Sequence, residues 1–144
     1  ARAAAHRQFL DGQGDLALEA AVAELFEDGE AQRHVWRTRR LYADRRAALA
    51  AALRGSLGSV LSYREPPGGM AFWCRIEGGV SAERWAERAL AGGVAVQPAR
   101  LFALDGRARP YLRLGFGRQN EREIREAVRR LAAALPGSSD GTRG

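Results

Sequence analysis

Pro110-Tyr111-Leu112-Arg113-Leu114-Gly115-Phe116-Gly117 is the stretch whose alternation decides the fold. Successive side chains of a strand point to opposite faces. Leu112, Leu114 and Phe116 therefore share one face, which predicts packing against helices, and Arg113 points the other way between Tyr111 and Gly115. Gly115 has no side chain and leaves room beside the guanidinium. An Arg on a rigid strand, with space before its planar fork, suits a bidentate carboxylate. The same pattern also fits an Arg that keeps an exposed strand face soluble.

Working outward, Pro66-Pro67-Gly68-Gly69 is a strong turn signal. The run Met70–Ile76 after it alternates, with Met70, Phe72, Cys74 and Ile76 on one face and Ala71, Trp73 and Arg75 on the other. Shorter strands are expected at Val60–Tyr63 and at Val94–Gln97, the latter stopped by Pro98 and followed by a loop over Ala99–Pro110. Four helices complete the pattern. Asp15 can cap the first, in which Leu18, Ala21, Val22, Leu25 and Phe26 recur at helical spacing until Gly29. The second runs from Glu30 to Leu53, carries Val35, Thr38, Leu41, Tyr42, Leu49 and Leu53 as a stripe flanked by arginines, and ends at Gly55 and Gly58. Ser81 starts the third, with Val80 and Trp85 at hydrophobic-staple positions and Gly92-Gly93 as the stop. In the fourth, Asn120 and Glu123 have capping-box spacing ahead of Ile124, Ala127, Val128, Leu131 and Leu135, and Pro136-Gly137 ends it.

The resulting order, α-α-β-β-α-β-β-α, predicts an α+β fold: a mostly antiparallel sheet with helices on one face. The expected organisation is a helical segment at residues 1–54, a small domain at 55–136 and a disordered tail at 137–144.

Composition narrows the function. Over 144 residues, 46% are hydrophobic and 28% charged, which suits a soluble globular class. No run of about 20 apolar residues is present, so no membrane span is expected. The polar start ARAAAHRQFL lacks the apolar core of a signal peptide, and a cytoplasmic origin is expected. A single cysteine, Cys74, excludes an internal disulfide and, on the apolar strand face, reads as a buried inert thiol. His6 and His34 have no partner at ligand spacing, so no metal is expected. No pair of carboxylates is fixed by spacing for acid–base work. The chain has no lysine, so all 23 basic residues are arginine and the formal net charge is +6. That charge admits a basic nucleic-acid-binding domain. The preference for Arg, Ala and Gly over Lys is also what GC-rich coding bias produces, and neither an RNP-like aromatic pair nor a Gly-rich phosphate loop is present.

Taken in order, GGMAFW at 68–73, a small helix, GVAVQP at 93–98, LRLGF at 112–116 and a Glu/Arg-rich last helix resemble the C-terminal part of a fold-type I aminotransferase, over roughly Asp15 to Leu135. QGDLALEAAVAELFEDGE at 13–30 and QRHVWRTRRLYADRRAAL at 32–49 look most like the MocR branch of GntR-type transcriptional regulators. The resemblance implies the small C-terminal domain of the aminotransferase fold, preceded by long interdomain helices. By match to the LRLGF motif it gives Arg113 the carboxylate of an amino acid or 2-oxo acid. It implies pyridoxal 5'-phosphate (PLP) in the full-length parent, with the cofactor lysine and the other cofactor-binding residues upstream of residue 1. This chain alone, lacking lysine, is expected to bind none and to be inactive. It further implies a homodimeric parent, and DNA binding through an upstream winged-helix domain if the parent is MocR-type. The parent would then be an effector-binding regulator or, alternatively, a genuine class I/II aminotransferase. Pro98-Ala99 stands where the family usually has Pro-Gly, which puts the geometry of that loop in question.

Overall fold

Asp15 caps the first helix as its position predicts: a carboxylate oxygen accepts from the N–H groups of Ala17 and Leu18, two of the donors that a helix start leaves without intrahelical partners. In the computed structural model, which describes residues 14–137, α1 runs over Leu16–Glu27. Gly29, at φ 72°, lies in the turn that leads into α2, Glu30–Leu57. The readings that concern residues 1–13, His6 among them, and the tail at 138–144 lie outside the described residues.

The chain divides into two units between Arg40 and Leu41. In the first, α1 buries no residue, and Leu16, Leu18, Val22, Leu25 and Phe26 are all exposed. Arg33 donates to the Asp28 carbonyl and the Glu30 carboxylate at the α1–α2 turn.

The second unit holds the sheet. Its strands are β1 Leu61–Ser62, β2 Ala71–Ile76, β3 Gln97–Pro98 and β4 Tyr111–Gly115, in the order β1-β2-β4-β3 with every pairing antiparallel. Two helices follow α2: α3, Ala82–Ala91, and α4, Glu121–Ala133. The four helices and four strands come in the predicted order. A short 3-10 helix at Ala99–Phe102 is the one addition, inside the expected loop.

One sheet face makes the core. Phe72, Cys74 and Ile76 of β2 and Leu112, Leu114 and Phe116 in and after β4 are buried against Leu49, Ala50, Leu53 and Leu57 of α2, Ala82, Trp85 and Ala89 of α3, and Ile124, Val128 and Leu131 of α4. Tyr63 and Phe116 meet the Phe72 ring edge-on at 5.2 and 5.9 Å. Two partly buried arginines tie α2 to loops of this unit. Arg45 donates to the Gly117 carbonyl at 2.6 Å and Arg46 to the Pro66 carbonyl at 3.0 Å. Part of the basic face of α2 is thus structural.

Several boundaries differ from the sequence reading: β1 covers only Leu61–Ser62 of the expected Val60–Tyr63, and α4 ends at Ala133, before Leu135. Helix α2 passes Gly55 and ends at Leu57, because Leu57 is only 1% exposed. Burying a leucine offsets the roughly 1 kcal/mol that glycine costs inside a helix. Gly58 then ends it: a Cβ there would lie 2.8 Å from the Arg54 carbonyl oxygen. The alternation of β2 begins at Ala71, and Met70 lies in the preceding turn with half its surface exposed. The β3 strand falls at Gln97–Pro98, later than Val94–Gln97, because the Val94 N–H is already used by the Ala89 carbonyl at the end of α3. Pro98 fits there since β3 is an edge strand.

The capping box of α4 is complete. Glu123 N–H donates to Asn120 Oδ1 at 3.0 Å, and Asn120 N–H donates to Glu123 Oε2 at 2.8 Å. Asn120→Ala removes one arm, and we expect it to lower stability by about 1 kcal/mol. A urea melt with an unchanged midpoint would contradict this.

Candidate functional site

Strand β4 sits between β2 and β3, so Arg113 has a neighbour on each side. Trp73 is its register partner on β2 and Gln97 its partner on β3. These three side chains form a row across the sheet face opposite to the helices. Arg113 Nη1 donates to Gln97 Oε1 at 2.7 Å. Its guanidinium carbon lies 5.9 Å from the centre of the Phe102 ring, within cation–π range. Phe102 also meets the Trp73 ring edge-on at 5.7 Å, and Tyr111 stacks on Trp73 at 5.9 Å. Trp73 is 44% and Phe102 50% exposed, so this aromatic wall is open to solvent.

Arg113 itself is partly buried, and no carboxylate pairs with it among the described residues. One of its five N–H donors is engaged by Gln97. Space lies along the strand at Gly115, where an added Cβ would meet only the Met70 carbonyl, at 3.9 Å. The arrangement offers a cation with unused planar donors, an aromatic wall and an open approach, a geometry that can take a carboxylate.

The sequence placed Arg113 on this face correctly, with Tyr111 and Gly115 beside it. It missed Gln97 and Phe102. Gln97 faces Arg113 only because β3 pairs with β4, a long-range register that no local pattern encodes. Phe102 reaches the site through the 3-10 helix. Ala99 opens that helix, is 3% exposed, and needs no left-handed backbone, since no non-glycine residue has positive φ among the described residues. An L-residue therefore fits where the family usually has glycine.

A groove of about 500 Å³ lies elsewhere, on the helix side. Val94, Val96, Leu114, Ile124 and Val128 line it, with Glu126 and Arg130 among its polar groups. Arg113 is not part of it. Its one lining arginine is paired: Glu126 accepts from Arg130, and from Arg129 beside the groove, at 2.7–2.8 Å, which holds its carboxyl down at about 2. The groove therefore offers no unpaired cation comparable to Arg113.

The other sequence candidates have no such setting. Cys74 is fully buried, and burial pushes its thiol up to about 12. A thiol reagent at pH 8 should leave it unlabelled in the folded chain and label it fully after unfolding. Fast labelling under native conditions would contradict this. His34 Nε2 lies 3.3 Å from Thr38 Oγ1. Among the described residues no three His, Cys, Asp or Glu side chains gather as a metal site. No described helix is long and apolar enough to cross a membrane.

Similarity to known proteins agrees with this architecture. No protein-family model matches the sequence. The 2-aminoadipate transaminase of Thermus thermophilus is 36% identical over 116 residues, covering 81% of this chain and 29% of that protein. The aromatic-amino-acid aminotransferase 1 of Thermococcus litoralis is 30% identical, covering 76% and 26%. YdeL of Bacillus subtilis, an uncharacterised HTH-type transcriptional regulator, is 28% identical, covering 81% and 25%. The chain thus spans between a quarter and a third of the length of these relatives. Among solved structures, LysN from Thermus thermophilus, an alpha-aminoadipate aminotransferase complexed with N-(5'-phosphopyridoxyl)-L-leucine, superposes with a TM-score of 0.80 at 32% identity, over 94% of this chain and 34% of that one. The multiple substrate aminotransferase of Thermococcus profundus gives 0.84 at 28%, over 95% and 34%. With this fold, and with relatives among both the aminotransferases and the HTH-type regulators, the chain belongs to the fold-type I aminotransferase-like family, as a C-terminal part of such a protein.

Proposed function

We propose that this chain is the ligand-carboxylate-binding domain of a PLP-dependent parent, and that Arg113 takes the α-carboxylate of an amino acid or its 2-oxo acid. The observation that carries this is the setting of Arg113: a strand-mounted fork with no carboxylate partner among the described residues, an aromatic wall beside it, and open space at Gly115. Residues 1–54, helical where described from Leu16 on but for the α1–α2 turn, are then the segment that bridges from the rest of the parent, with Leu49 and Leu53 built into the core of the small domain at 55–136.

The chain has no lysine, so no residue of it fits the covalent anchor of PLP. The share that falls to these residues is to bind and orient the carboxylate. In a MocR-type parent that binding would be the effector signal, passed to DNA through a winged-helix domain in a cytoplasmic homodimer. The 36% identity to a transaminase supports a second reading beside the first, in which the same contact orients the substrate of a genuine aminotransferase.

The test uses the full-length parent and two stable PLP adducts, N-(5'-phosphopyridoxyl)-L-leucine and N-(5'-phosphopyridoxyl)-3-methylbutylamine. They differ only in the carboxylate. The carboxylate-bearing adduct should bind at least about tenfold tighter, the size of a charge-assisted pair. Equal affinities would overturn the proposal. Conversion of an amino acid and 2-oxoglutarate by the same protein would then separate the aminotransferase from the regulator.

A further inference from the structure

We propose that Gln97 is the positioning residue of this site, holding the Arg113 fork in its binding orientation while leaving its charge intact. The proposal rests on reading Arg113 as the carboxylate ligand. An arginine side chain has about 2 kcal/mol of rotamer entropy to lose when it is fixed. On an open sheet face nothing forces it to lie where a ligand needs it. Here it is bracketed: Gln97 Oε1 accepts from Nη1 at 2.7 Å, and the Phe102 ring lies 5.9 Å from the guanidinium carbon.

The choice of amide matters chemically. Arginine offers donors only, so the carboxamide oxygen must be the atom that faces it. That oxygen takes one donor and is neutral, so the cation keeps its full charge and its remaining donors. A carboxylate at the same position would take the fork bidentately and compete with the ligand. Backbone geometry makes the amide well placed. Gln97 is the register partner of Arg113 on β3, and the next residue, Pro98, has φ fixed at −69° at the entry to the 3-10 helix that carries Phe102. The same short stretch of chain thus delivers both restraints on Arg113.

The experiment measures both adducts against the full-length parent and three variants, Gln97→Met, Gln97→Glu and Arg113→Ala. The readout is the affinity ratio between the carboxylate-bearing and the decarboxylated adduct. Gln97→Met keeps the length of the side chain and removes the acceptor, and should lower the ratio about fivefold, the effect of one ordinary hydrogen bond. Gln97→Glu should lower it further, about tenfold or more at neutral pH, because the new carboxylate occupies the fork. Affinity for the decarboxylated adduct should not change in either. A residue that merely packs β3 would leave the ratio alone, or weaken both adducts equally, and either result overturns the role of Gln97. If Arg113→Ala collapses the ratio while both Gln97 variants keep it, the carboxylate site stands and the positioning role falls. An unchanged ratio in Arg113→Ala overturns both.

Discussion

Trp85→Ala should destabilise the second unit by about 3–5 kcal/mol, the cost of emptying a large buried aromatic site. Trp85 is fully buried in the core between α3, the sheet and α4. Its indole does a second job. The last carbonyls of a helix have no intrahelical donors. At the end of α4 the Arg130 and Ala132 carbonyls are taken by Ala134 and Leu135 N–H. The Leu131 carbonyl instead accepts from Trp85 Nε1 at 2.9 Å. Trp85→Phe keeps most of the ring and loses that bond, leaving a buried carbonyl without its donor, and should cost about 1–3 kcal/mol. Urea denaturation of the chain, followed by far-ultraviolet circular dichroism because the fluorophore is changed, measures both. A loss below about 1.5 kcal/mol for Trp85→Ala, well under the usual cost of such a truncation, would mean that the core closes around the gap or that this helix packing is wrong.

Much of this architecture was legible from residues alone. The period-2 runs at 71–76 and 111–116 bury alternate residues, because each strand packs one face and leaves the other open. The caps at Asp15, Ser81 and Asn120 were readable since a cap is a local bond between residues two or three apart. What escaped was set at longer range. Gly55 did not stop α2, because Leu57 has a core to enter. The start of β3 depends on which N–H groups α3 has already used. At the candidate site the same division holds. Arg113, Tyr111 and Gly115 lie within one strand, and their faces followed from its pattern. Gln97 and Phe102 come from earlier in the chain and arrive through strand pairing and a 3-10 turn. Trp73 was placed on the right face, but its partnership with Arg113 needed the β2–β4 register.

Arg113→Ala is expected to remove a charge-assisted pair worth about 1.5–3 kcal/mol, or roughly 10- to 150-fold in affinity for the carboxylate-bearing ligand. The fold should be little affected. Leu112, Leu114 and Phe116 hold β4 against the helices, and Arg113 is on the other face, where it meets Gln97 and the Phe102 ring. Its loss leaves no buried charge behind. Arg113→Lys should recover only part of the affinity, since an ammonium cannot reproduce the planar fork or its stacking. The most direct measurement is the ratio of dissociation constants for N-(5'-phosphopyridoxyl)-L-leucine and N-(5'-phosphopyridoxyl)-3-methylbutylamine, in the full-length parent and in Arg113→Ala. A carboxylate site at Arg113 predicts a ratio of at least about tenfold in the wild type that falls to near one in the variant, with the decarboxylated adduct bound equally by both. The same ratio in the two proteins would show that Arg113 is a surface arginine and that the carboxylate is held elsewhere.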